Sequence, residues 1–475
     1  MSDSRVAEDS AEAISRVAGD LAEAISAVPQ VPQYDSQPPL SVFVETWGCQ
    51  MNVLDGRRFV GLMRRDGWVE TSDARQADLV LLNTCSVRDK AEQKVYDYLG
   101  RLAVLKRERP DLVLGVCGCV AQQEGQSLLD RLPHVDFVLG TGRIETLPSV
   151  VRRVVEEGSR PCETGFDLDE VAYTPGAIAR VVPHRASITV IEGCNKNCTF
   201  CVVPATRGRE RNRRLADVVE ESRRLLAEGV VEIELLGQTV NAYRDPESGG
   251  DLADLLDAVA PLPGLRRLRF VTSHPRNFNS KLIRAMAANA TVCPALHLPV
   301  QSGSDPVLRR MKRQYTRAEY LALVAVLRGA IPELALSTDI IVGFPGETDA
   351  DFEATLSLLD EVRYAYVFSF AYSPRPRTAA ARWPHDVTPA VASKRLALLE
   401  ERQREIQRAL HRGLEGRELE VLIEGPDKRG KGSSGRSPCN RVVNLDAPGL
   451  PPGSFVTARI DRGFPYSLLG SLAAR

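Results

Sequence analysis

The chain has 475 residues, which is too long for one ordinary core and indicates about three domains at roughly 150 residues each. Its 61 Lys and Arg residues nearly balance 62 Asp and Glu residues, so any nucleic-acid surface must be local. No apolar run approaches the ~20 residues that span a bilayer, and the first 40 residues resemble neither a secretory nor a transit signal. We therefore expect a cytoplasmic, multidomain protein without membrane contact.

Residues 1–40 are predicted to form a helical or loosely ordered extension that ends in a linker. Residues 4–14 (SRVAEDSAEAI) recur almost unchanged as residues 15–25 (SRVAGDLAEAI), with apolar residues on one helical stripe. The proline-rich stretch VPQVPQYDSQPPL then has the composition of a linker.

Residues 41–156 alternate between apolar strand-like runs and helical patterns, which is typical of βαβ units and a Rossmann-like parallel sheet. Cys49 follows the first predicted strand, Cys85 follows the second, and Cys117 and Cys119 end the third. Because ligands of open α/β sheets sit at the carboxyl ends of strands, cysteines from three strands could converge there.

Residues 180–412 form a second alternating region with six predicted strands, the first SITVIEG and the last YAYVFSFAY. Six βα units are fewer than the eight of a closed barrel, so we predict a partial (βα)6 barrel whose open side admits a large substrate. Residues 413–475 carry the short runs LEVLIEG, NRVVNLD, SFVTARI and YSLLGSL between Gly and Pro residues, a pattern that predicts a small β-barrel. The predicted fold class is α/β with this β-barrel appended.

The stretch EGCNKNCTFCVVP places Cys194, Cys198 and Cys201 directly after the first predicted barrel strand. A structural zinc site needs four ligands, and no fourth cysteine or suitable histidine lies near in the sequence. Iron–sulfur cubanes bind one thiolate at each iron, so three cysteines leave one iron open for a substrate or cofactor. The spacing therefore favours a 4Fe-4S site over zinc.

This triplet, after the first strand of a partial barrel, resembles the radical S-adenosylmethionine (SAM) superfamily. The segments LLGQTVNAY, FVTSHPRNF, HLPVQSGS and DIIVGFPGET fit the same architecture, because each ends a strand and enters a loop. The resemblance implies that Cys194, Cys198 and Cys201 hold a 4Fe-4S cluster whose open iron is chelated by SAM. Reductive cleavage of SAM in that superfamily yields a 5'-deoxyadenosyl radical.

The motifs ETWGCQMN, LLNTCSVR and GCVAQ resemble the N-terminal domain of the methylthiotransferases, and the likeness extends over residues 41–475. It implies that Cys49, Cys85 and Cys119 hold a second, auxiliary 4Fe-4S cluster that presents sulfur. No catalytic residue beyond the six cluster ligands is implied. The other cysteines are interpreted as small packing residues: Cys117, Cys162, Cys293 and Cys439.

GCQMN and LLGQTVNAY are similar to the family branch that modifies N6-isopentenyladenosine in tRNA. That branch implies radical methylthiolation at C2 of the base at position 37, with two SAM molecules consumed per turnover. Alternative substrates in the family are threonylcarbamoyladenosine in tRNA and an aspartate of a ribosomal protein. The ribosomal-protein branch usually shows a Pro-Lys pair where this chain has Gln50 and Met51. An alternative from another class is a non-catalytic zinc protein that binds RNA.

An RNA substrate requires local positive charge, and two segments supply it. The run RGRERNRR at 207–214 includes Arg207 and Arg209, and the last unit resembles the TRAM RNA-binding domain. Residues 428–445 of this last unit carry five cations and no acidic residue: Lys428, Arg429, Lys431, Arg436 and Arg441. The expected partners are the tRNA anticodon loop, an electron donor and a sulfur source, with the protein a monomer.

Two residues depart from the family pattern. Arg377 stands where relatives usually have Gly, which predicts a strained turn, and Thr239 stands where Asn is usual. Neither residue is expected to touch a cluster ligand. Tyr243, Phe278 and Tyr372 are candidates for stacking on a base, with burial in the core as the alternative.

Overall fold

The computed structural model describes residues 39–86, 89–166, 176, 178–180 and 182–473. The predicted N-terminal arm lies outside these residues. From Ser41 onward the chain forms one compact unit. Within the described residues, no helix has both the length and the apolar character needed to cross a membrane.

The N-terminal domain is a six-stranded parallel sheet with helices on its faces, as predicted. The strand order is β2-β1-β3-β4-β5-β6. Its strands are β1 (Ser41–Thr46), β2 (Val69–Glu70), β3 (Leu79–Thr84), β4 (Val113–Gly118), β5 (Phe137–Leu139) and β6 (Cys162–Glu163). Its helices are α1 (Gln50–Arg65), α2 (Asp89–Glu108), α3 (Cys119–Glu124), α4 (Gln126–Arg131) and α5 (Leu147–Glu157), with a 3-10 turn at Ile144–Thr146. Every residue of β3 and β4 is buried, which explains why both strands read as continuous apolar runs.

The strand register brings the three cysteine-bearing segments to one edge of this sheet. Thr46 at the end of β1 lies opposite Asn83, and Thr84 at the end of β3 lies opposite Gly118 at the end of β4. The segments that follow β1, β3 and β4 therefore leave the sheet side by side.

The central domain is the predicted partial barrel of six parallel strands. These are β7 (Arg185–Thr189), β10 (Glu232–Leu236), β11 (Arg267–Phe270), β12 (Ala295–His297), β13 (Ala335–Val342) and β14 (Tyr366–Ala371). They form two three-stranded sheets, β7-β10-β11 and β12-β13-β14, which a parallel bridge from Leu268 to Val292 connects. A short hairpin of β8 (Ile191–Glu192) and β9 (Arg211–Asn212) lies after β7.

Eight helices accompany these strands in the described chain. They are α6 (Val203–Arg207), α7 (Leu215–Ala227), α8 (Leu252–Val259), α9 (Ser280–Ala288), α10 (Asp305–Arg310), α11 (Arg317–Ala330), α12 (Asp349–Val362) and α13 (Pro389–Arg412). The 3-10 turns are Val240–Ala242, Pro275–Asn277 and Ala380–Arg382. Alternate strand residues such as Ile233 and Leu235 pack in the large apolar core, whereas Glu232 pairs with Arg269 at 3.0 Å.

Residues 418–472 form a closed five-stranded barrel in the order β15-β16-β17-β19-β18. Its strands are β15 (Glu418–Pro426), β16 (Ser433–Arg436), β17 (Val442–Leu445), β18 (Phe455–Gly463) and β19 (Leu468–Leu472). Four of these strands were predicted. The fifth, β16, reads SSGR, and its small polar residues carry no apolar alternation from which a strand could be predicted.

The two outer domains meet opposite ends of the partial barrel. Arg267, the first residue of β11, donates to the backbone oxygen of Arg436 at 2.8 Å, and Arg185, the first residue of β7, pairs with Glu424 at 2.8 Å. The small β-barrel therefore covers the amino ends of the strands. Met51 of α1 instead packs against Leu236 at the carboxyl end of β10. The domain boundaries 41–156, 180–412 and 413–475 remain a proposal.

Candidate functional site

The first cysteine group is built by three neighbouring strand ends. Cys49 is the N-cap of α1, and its thiol donates to Oδ1 of Asn52 at 3.2 Å. Nδ2 of Asn52 in turn donates to the backbone oxygen of Thr84 at 2.8 Å, which ties the Cys49 turn to the residue before Cys85. Gly48 has φ +138°, and a Cβ at this position would lie 2.6 Å from Cβ of Cys85. Only glycine permits this close approach.

A second set of hydrogen bonds joins the Cys85 segment to the Cys119 segment. The Thr84 hydroxyl donates to the backbone oxygen of Cys117 at 2.6 Å and accepts from the backbone N–H of Val120 at 3.2 Å. Cys85 and Cys119 are buried, and Cys49 is exposed. The structure therefore brings Cys49, Cys85 and Cys119 to one edge of the sheet, with one side open to solvent.

A buried arginine from the central domain reaches this first group. Arg207 ends α6, which packs against α3, and its Nη2 donates to Oδ2 of Asp55 at 2.6 Å. Burial raises the pKa of Cys119, and the guanidinium of Arg207 acts in the opposite direction by hydrogen bonding and by charge. Arg207 is thus placed to stabilise a thiolate at Cys119.

This position corrects the expectation that Arg207 faces RNA. The side chain of Arg207 is 5% exposed, and most of the run 207–214 is neutralised by internal ion pairs. These pairs are Arg207 with Asp55 at 2.6 Å, Arg211 with Glu192 at 2.9 Å, Arg213 with Glu221 at 2.6 Å and Arg214 with Asp217 at 2.7 Å. Arg209 is exposed. Arg207, Arg211 and Arg213 are therefore paired inside the protein, whereas Arg209 and Arg214 are exposed.

The second cysteine group lies in the loop after the β8 strand. The backbone N–H of Cys194 donates to the oxygen of Gly208 at 3.1 Å, and its sulfur lies 3.4 Å from the hydroxyl of Thr239. Gly193 has φ +76°, and a Cβ there would lie 2.0 Å from the backbone oxygen of Arg209. The contact between Thr239 and the sulfur of Cys194 shows that the expectation that Thr239 does not touch a predicted cluster ligand is wrong.

Cys198 and Cys201 are held in the same loop. The backbone N–H of Cys201 donates to the oxygen of Cys198 at 3.1 Å, and Nη1 of Arg313 donates to the sulfur of Cys198 at 3.5 Å. Arg313 is buried, and its Nη2 also donates to the oxygen of Pro299 at 2.8 Å. Burial raises the pKa of Cys201 to about 12, and the neighbouring Cys198 adds to this rise. The three sulfurs of this loop therefore lie in one shared environment.

A buried chain of ion pairs runs between the two cysteine groups. Arg58 of α1 lies 3.8 Å from Asp55, 2.7 Å from Glu145 and 3.4 Å from Glu192. Glu192 precedes Cys194 by two residues, and Asp55 is the partner of Arg207. The chain therefore connects the surroundings of Cys119 to the strand that carries the Cys194 loop. No local motif marks these residues in the sequence.

The donor chemistry fits 4Fe-4S clusters. Among the described residues, no three Cys, His, Asp or Glu side chains are arranged to hold a single metal ion. A cubane instead takes one thiolate at each of three irons and so needs three sulfurs around a larger group. A structural zinc site would require a fourth donor. Each cysteine group fits the cubane requirement in number and in ligand type.

The remaining four cysteines differ in burial. Cys117 is fully buried in the core beneath the sheet, and Cys293 is also buried. Cys162 and Cys439 are partly buried. The packing interpretation of Cys117 is confirmed.

The aromatic candidates differ from one another. Tyr243 is buried, and its hydroxyl donates to the oxygen of Arg213 at 2.9 Å, so it belongs to the core. Tyr372 is half-buried against Phe344, with ring centroids 5.1 Å apart. Phe278 is partly buried and lines a cavity beside the Cys194 loop. Arg377 has φ +65°, which confirms the predicted turn that favours glycine.

The five cations of the small β-barrel that were predicted to bind RNA separate into two sets. Lys428, Arg429 and Lys431 are exposed on one turn, where Asp427 accepts from the backbone N–H of Lys431 at 2.9 Å. Arg436 is half-buried and pairs with Glu424 at 3.1 Å, and Arg441 is also half-buried. The first set is available to a partner at the surface.

Three family models match the chain. They are the uncharacterized protein family UPF0004 at residues 41–140, the radical SAM superfamily at residues 188–359 and the TRAM domain at residues 412–473. Among solved structures, the radical SAM methyltransferase TsrM from Kitasatospora setae, with cobalamin and a [4Fe-4S] cluster bound, matches with a TM-score of 0.54 and 17% identity. This match covers 73% of the present chain and 77% of TsrM. It shows a shared fold.

Curated relatives cover nearly the whole chain. A tRNA-2-methylthio-N(6)-dimethylallyladenosine synthase of Geobacter metallireducens is 47% identical over 91% of this chain and 98% of its own length. The enzyme of the same name from Solibacter usitatus is 45% identical over 91% of this chain and 98% of its own length. The one from Anaeromyxobacter dehalogenans is 47% identical over 92% of this chain and 95% of its own length. The chain therefore belongs to the family of tRNA-2-methylthio-N(6)-dimethylallyladenosine synthases and is a radical SAM enzyme.

Proposed function

We propose that the protein replaces the C2 hydrogen of N6-isopentenyladenosine at position 37 of tRNA with a methylthio group. The observation that carries this proposal is the pair of three-cysteine groups, one on each of two docked domains, in a member of this family. The adenine C2–H has no acidic proton, so a general base cannot start the reaction. When bound, the cluster at Cys194, Cys198 and Cys201 would supply the electron that cleaves SAM to a 5'-deoxyadenosyl radical, and the auxiliary cluster would supply sulfur.

The side chains around the sulfurs have separate roles in this proposal. Thr239 and Arg313 contact the sulfurs of Cys194 and Cys198, where hydrogen bonds tune the electron affinity of a bound cluster. Arg207 offsets negative charge at Cys119. The ion-pair chain through Arg58 holds the two domains in a fixed relative position, so that a base between them contacts both cysteine groups.

In this proposal, the substrate base must leave its stack to lie between the two cysteine groups. Anticodon loops are single-stranded, so splaying out one base costs only a few kcal/mol. In this proposal, the exposed turn with Lys428, Arg429 and Lys431 adds affinity for the phosphate backbone. A second SAM molecule supplies the methyl group, and the C2 hydrogen leaves in 5'-deoxyadenosine. A separate electron donor and a separate sulfur source complete the reaction. The protein acts as a monomer in the cytoplasm.

The proposal can be tested on anaerobically reconstituted protein with tRNA that carries isopentenyladenosine. Two cubanes require about eight irons per chain. We expect Cys198→Ala to abolish 5'-deoxyadenosine formation. The Cys85→Ala variant should still form 5'-deoxyadenosine but should not form the methylthiolated nucleoside, as measured by mass spectrometry of digested tRNA. Cys117→Ala, at a buried packing position, is the matched control and should keep both products.

Other outcomes would contradict specific parts of the proposal. A colourless protein that binds zinc and no iron would support a non-catalytic RNA-binding protein. Methylthiolation of threonylcarbamoyladenosine, or of a ribosomal-protein aspartate, with none on isopentenyladenosine would place the substrate in another branch. A Cys85→Ala variant that still forms the methylthiolated nucleoside would show that the first cysteine group does not hold the sulfur-supplying cluster.

A further inference from the structure

Two cavities lie side by side against the loop that carries the cysteine triplet. The first has a volume of about 410 Å³ and is lined by Lys196, and the second has a volume of about 570 Å³ and is lined by Asn197. Both residues lie between Cys194 and Cys198, and Gln314 lines both cavities. We call the two cavities together the loop groove.

Cations from four separate segments of the chain line the loop groove. Most of them are exposed, and Lys196 is half-buried. They are Lys196, Arg244 and Arg276 in the first cavity and Arg309 and Lys312 in the second. The charge of the groove therefore arises from the fold, because these residues are spread over more than a hundred positions of the sequence.

Three carboxylates also line the groove, and each is engaged locally. Asp251 caps α8 and accepts from Ala253 N–H at 3.0 Å, and Lys281 lies 3.2 Å from it. Glu319 accepts from Thr316 N–H at 2.7 Å, and Asp305 accepts from Arg317 N–H at 2.6 Å. Arg244 contacts Asp251 only at 3.6 Å and is 63% exposed. The five cations thus exceed the carboxylates that could neutralise them.

The backbone between the cavities is held in an unusual conformation. Lys312 and Gln314 have φ +54° and +58°, in the left-handed region. Arg313 between them is buried and donates to Pro299 and Cys198, which fixes the segment against the cysteine loop. Strained residues that the surrounding structure holds in place are typical of binding sites. Lys312 and Gln314 are both exposed at the surface.

The side chains of the first cavity give it a positive environment. Burial lowers the pKa of His274 to about 2, and the charges of Arg313, Lys196 and Arg276 act in the same direction. Phe278 also lines this cavity and is partly buried against the core. A cationic groove with an aromatic side chain is the usual arrangement for single-stranded nucleic acid.

We propose that the loop groove binds the sugar–phosphate backbone of the RNA strand next to the modified base. This inference rests on the proposed function, because it assigns a site to the RNA substrate. When the modified base lies beside the cysteine loop, its neighbouring nucleotides lie along that loop, where Lys196 is located. The exposed cations then neutralise phosphates, and the amide of Gln314 can bond to a sugar or a phosphate.

The test compares charge-neutralising double variants of the reconstituted full chain. Arg244→Gln/Arg276→Gln changes the first cavity, and Arg309→Gln/Lys312→Gln changes the second. Arg223→Gln/Arg402→Gln is the matched control, because it removes the same charge from exposed positions on α7 and α13. Binding of an anticodon stem-loop RNA with isopentenyladenosine is measured by fluorescence anisotropy over a series of potassium chloride concentrations.

Each phosphate contact to a single strand contributes about 0.7 to the slope of log K against log salt concentration. We expect each groove variant to bind more weakly and to lose about 1.4 from this slope, corresponding to two contacts. The control should keep the wild-type slope. The iron content and the circular dichroism spectrum of every variant should match those of the wild type, which shows that the protein is folded. Arg309→Lys/Lys312→Arg keeps both charges and should bind with the wild-type slope.

An unchanged slope in both groove variants overturns the proposal. The proposal is also overturned if the salt slope of RNA binding is unchanged and only the reduction of the enzyme by an acidic electron-donor protein is weakened. The groove would then bind that protein. In both cases the proposed function stands, since the wild-type protein still binds and modifies RNA. If the wild-type protein neither binds nor modifies the stem-loop, the proposed function fails and the groove assignment fails with it.

Discussion

Arg207 of the central domain and Asp55 of the N-terminal domain form a 2.6 Å ion pair whose side chains are 5% and 2% exposed. Asp55 lies on α1, which Cys49 caps, and Arg207 also interacts with Cys119. One buried pair therefore joins the docking of two domains to the surroundings of a proposed cluster site. Arg58 extends the connection to Glu192, close to Cys194. The relative position of the two cysteine groups is thus fixed by side chains that belong to neither group.

Arg207→Gln should strongly destabilise the docking of the two domains. Removing one member of a buried ion pair typically costs about 3–5 kcal/mol, because the other charge remains buried. Asp55 would then keep only Arg58, at 3.8 Å. We expect the free energy of unfolding of the iron-free protein to fall by about 3 kcal/mol in chemical denaturation. Asp55→Asn/Arg207→Gln should lose less than the two single variants together.

The control for this experiment is Arg64→Gln on the same helix. Arg64 is 50% exposed and pairs with Glu70 at 2.8 Å, and such surface pairs contribute about 0–1 kcal/mol. If Arg207→Gln unfolds at the same denaturant concentration as Arg64→Gln, the buried pair does not hold the domains together.

Thr239 should set the reduction potential of the cluster at the triplet. Its hydroxyl lies 3.4 Å from the sulfur of Cys194, and hydrogen bonds to sulfur stabilise the more negative, reduced state. Thr239→Val removes the hydroxyl and keeps the shape, so we expect a more negative potential in a titration followed by electron paramagnetic resonance. Thr239→Ser keeps the hydroxyl and should stay close to wild type. Equal potentials for the Val and Ser variants would exclude this role.

Much of the architecture was predictable because it depends on local patterns. Continuous apolar runs such as LVLLNT predict buried parallel strands, and the order of strands predicts where Cys49, Cys85 and Cys119 lie. The start of α1 was less predictable, since this helix begins at Gln50 with Cys49 as its N-cap. A cysteine N-cap is not among the usual helix-start signals.

Charged side chains were less predictable, because their partners are distant in sequence. Arg207 pairs with a residue 152 positions away, and Arg313 donates to a sulfur 115 positions away. A run of arginines therefore predicts a basic surface when only the sequence is known. The carboxylates that pair with these arginines are identified only in the folded structure. The loop groove shows the converse case, since isolated cations such as Arg244 and Lys312 become neighbours of one site only in the folded chain.

Gly193→Ala should prevent the triplet loop from forming its present shape. The added Cβ would lie 2.0 Å from the backbone oxygen of Arg209, and φ of +76° is unfavourable for alanine. Because a backbone atom is in the way, the loop must move. We expect the reconstituted variant to bind about four irons in place of about eight and to form no 5'-deoxyadenosine. Iron analysis and product chromatography measure these outcomes.

Gly329→Ala on α11 is the matched control for that substitution. No atom lies within 4 Å of its added Cβ, so the variant should keep its iron and gain about 0.5–1 kcal/mol of helix stability. Should Gly193→Ala retain full iron and activity, the close approach of Gly193 to Arg209 would not be required for cluster binding.

The exposed turn of the small β-barrel should affect tRNA affinity without affecting the chemical step. Lys428, Arg429 and Lys431 lie on the domain that covers the amino ends of the barrel strands, whereas both cysteine groups follow carboxyl ends. Three exposed contacts of about 0.5 kcal/mol each correspond to about a tenfold rise in KM for tRNA when all three become Gln. The value of kcat should not change, because these contacts bind ground state and transition state equally.

Arg417→Gln on the same barrel, where Arg417 pairs with Glu333 at 3.1 Å, is the control. A fall in kcat with KM unchanged would place the turn at the reacting base and would contradict the domain arrangement from which the prediction is made.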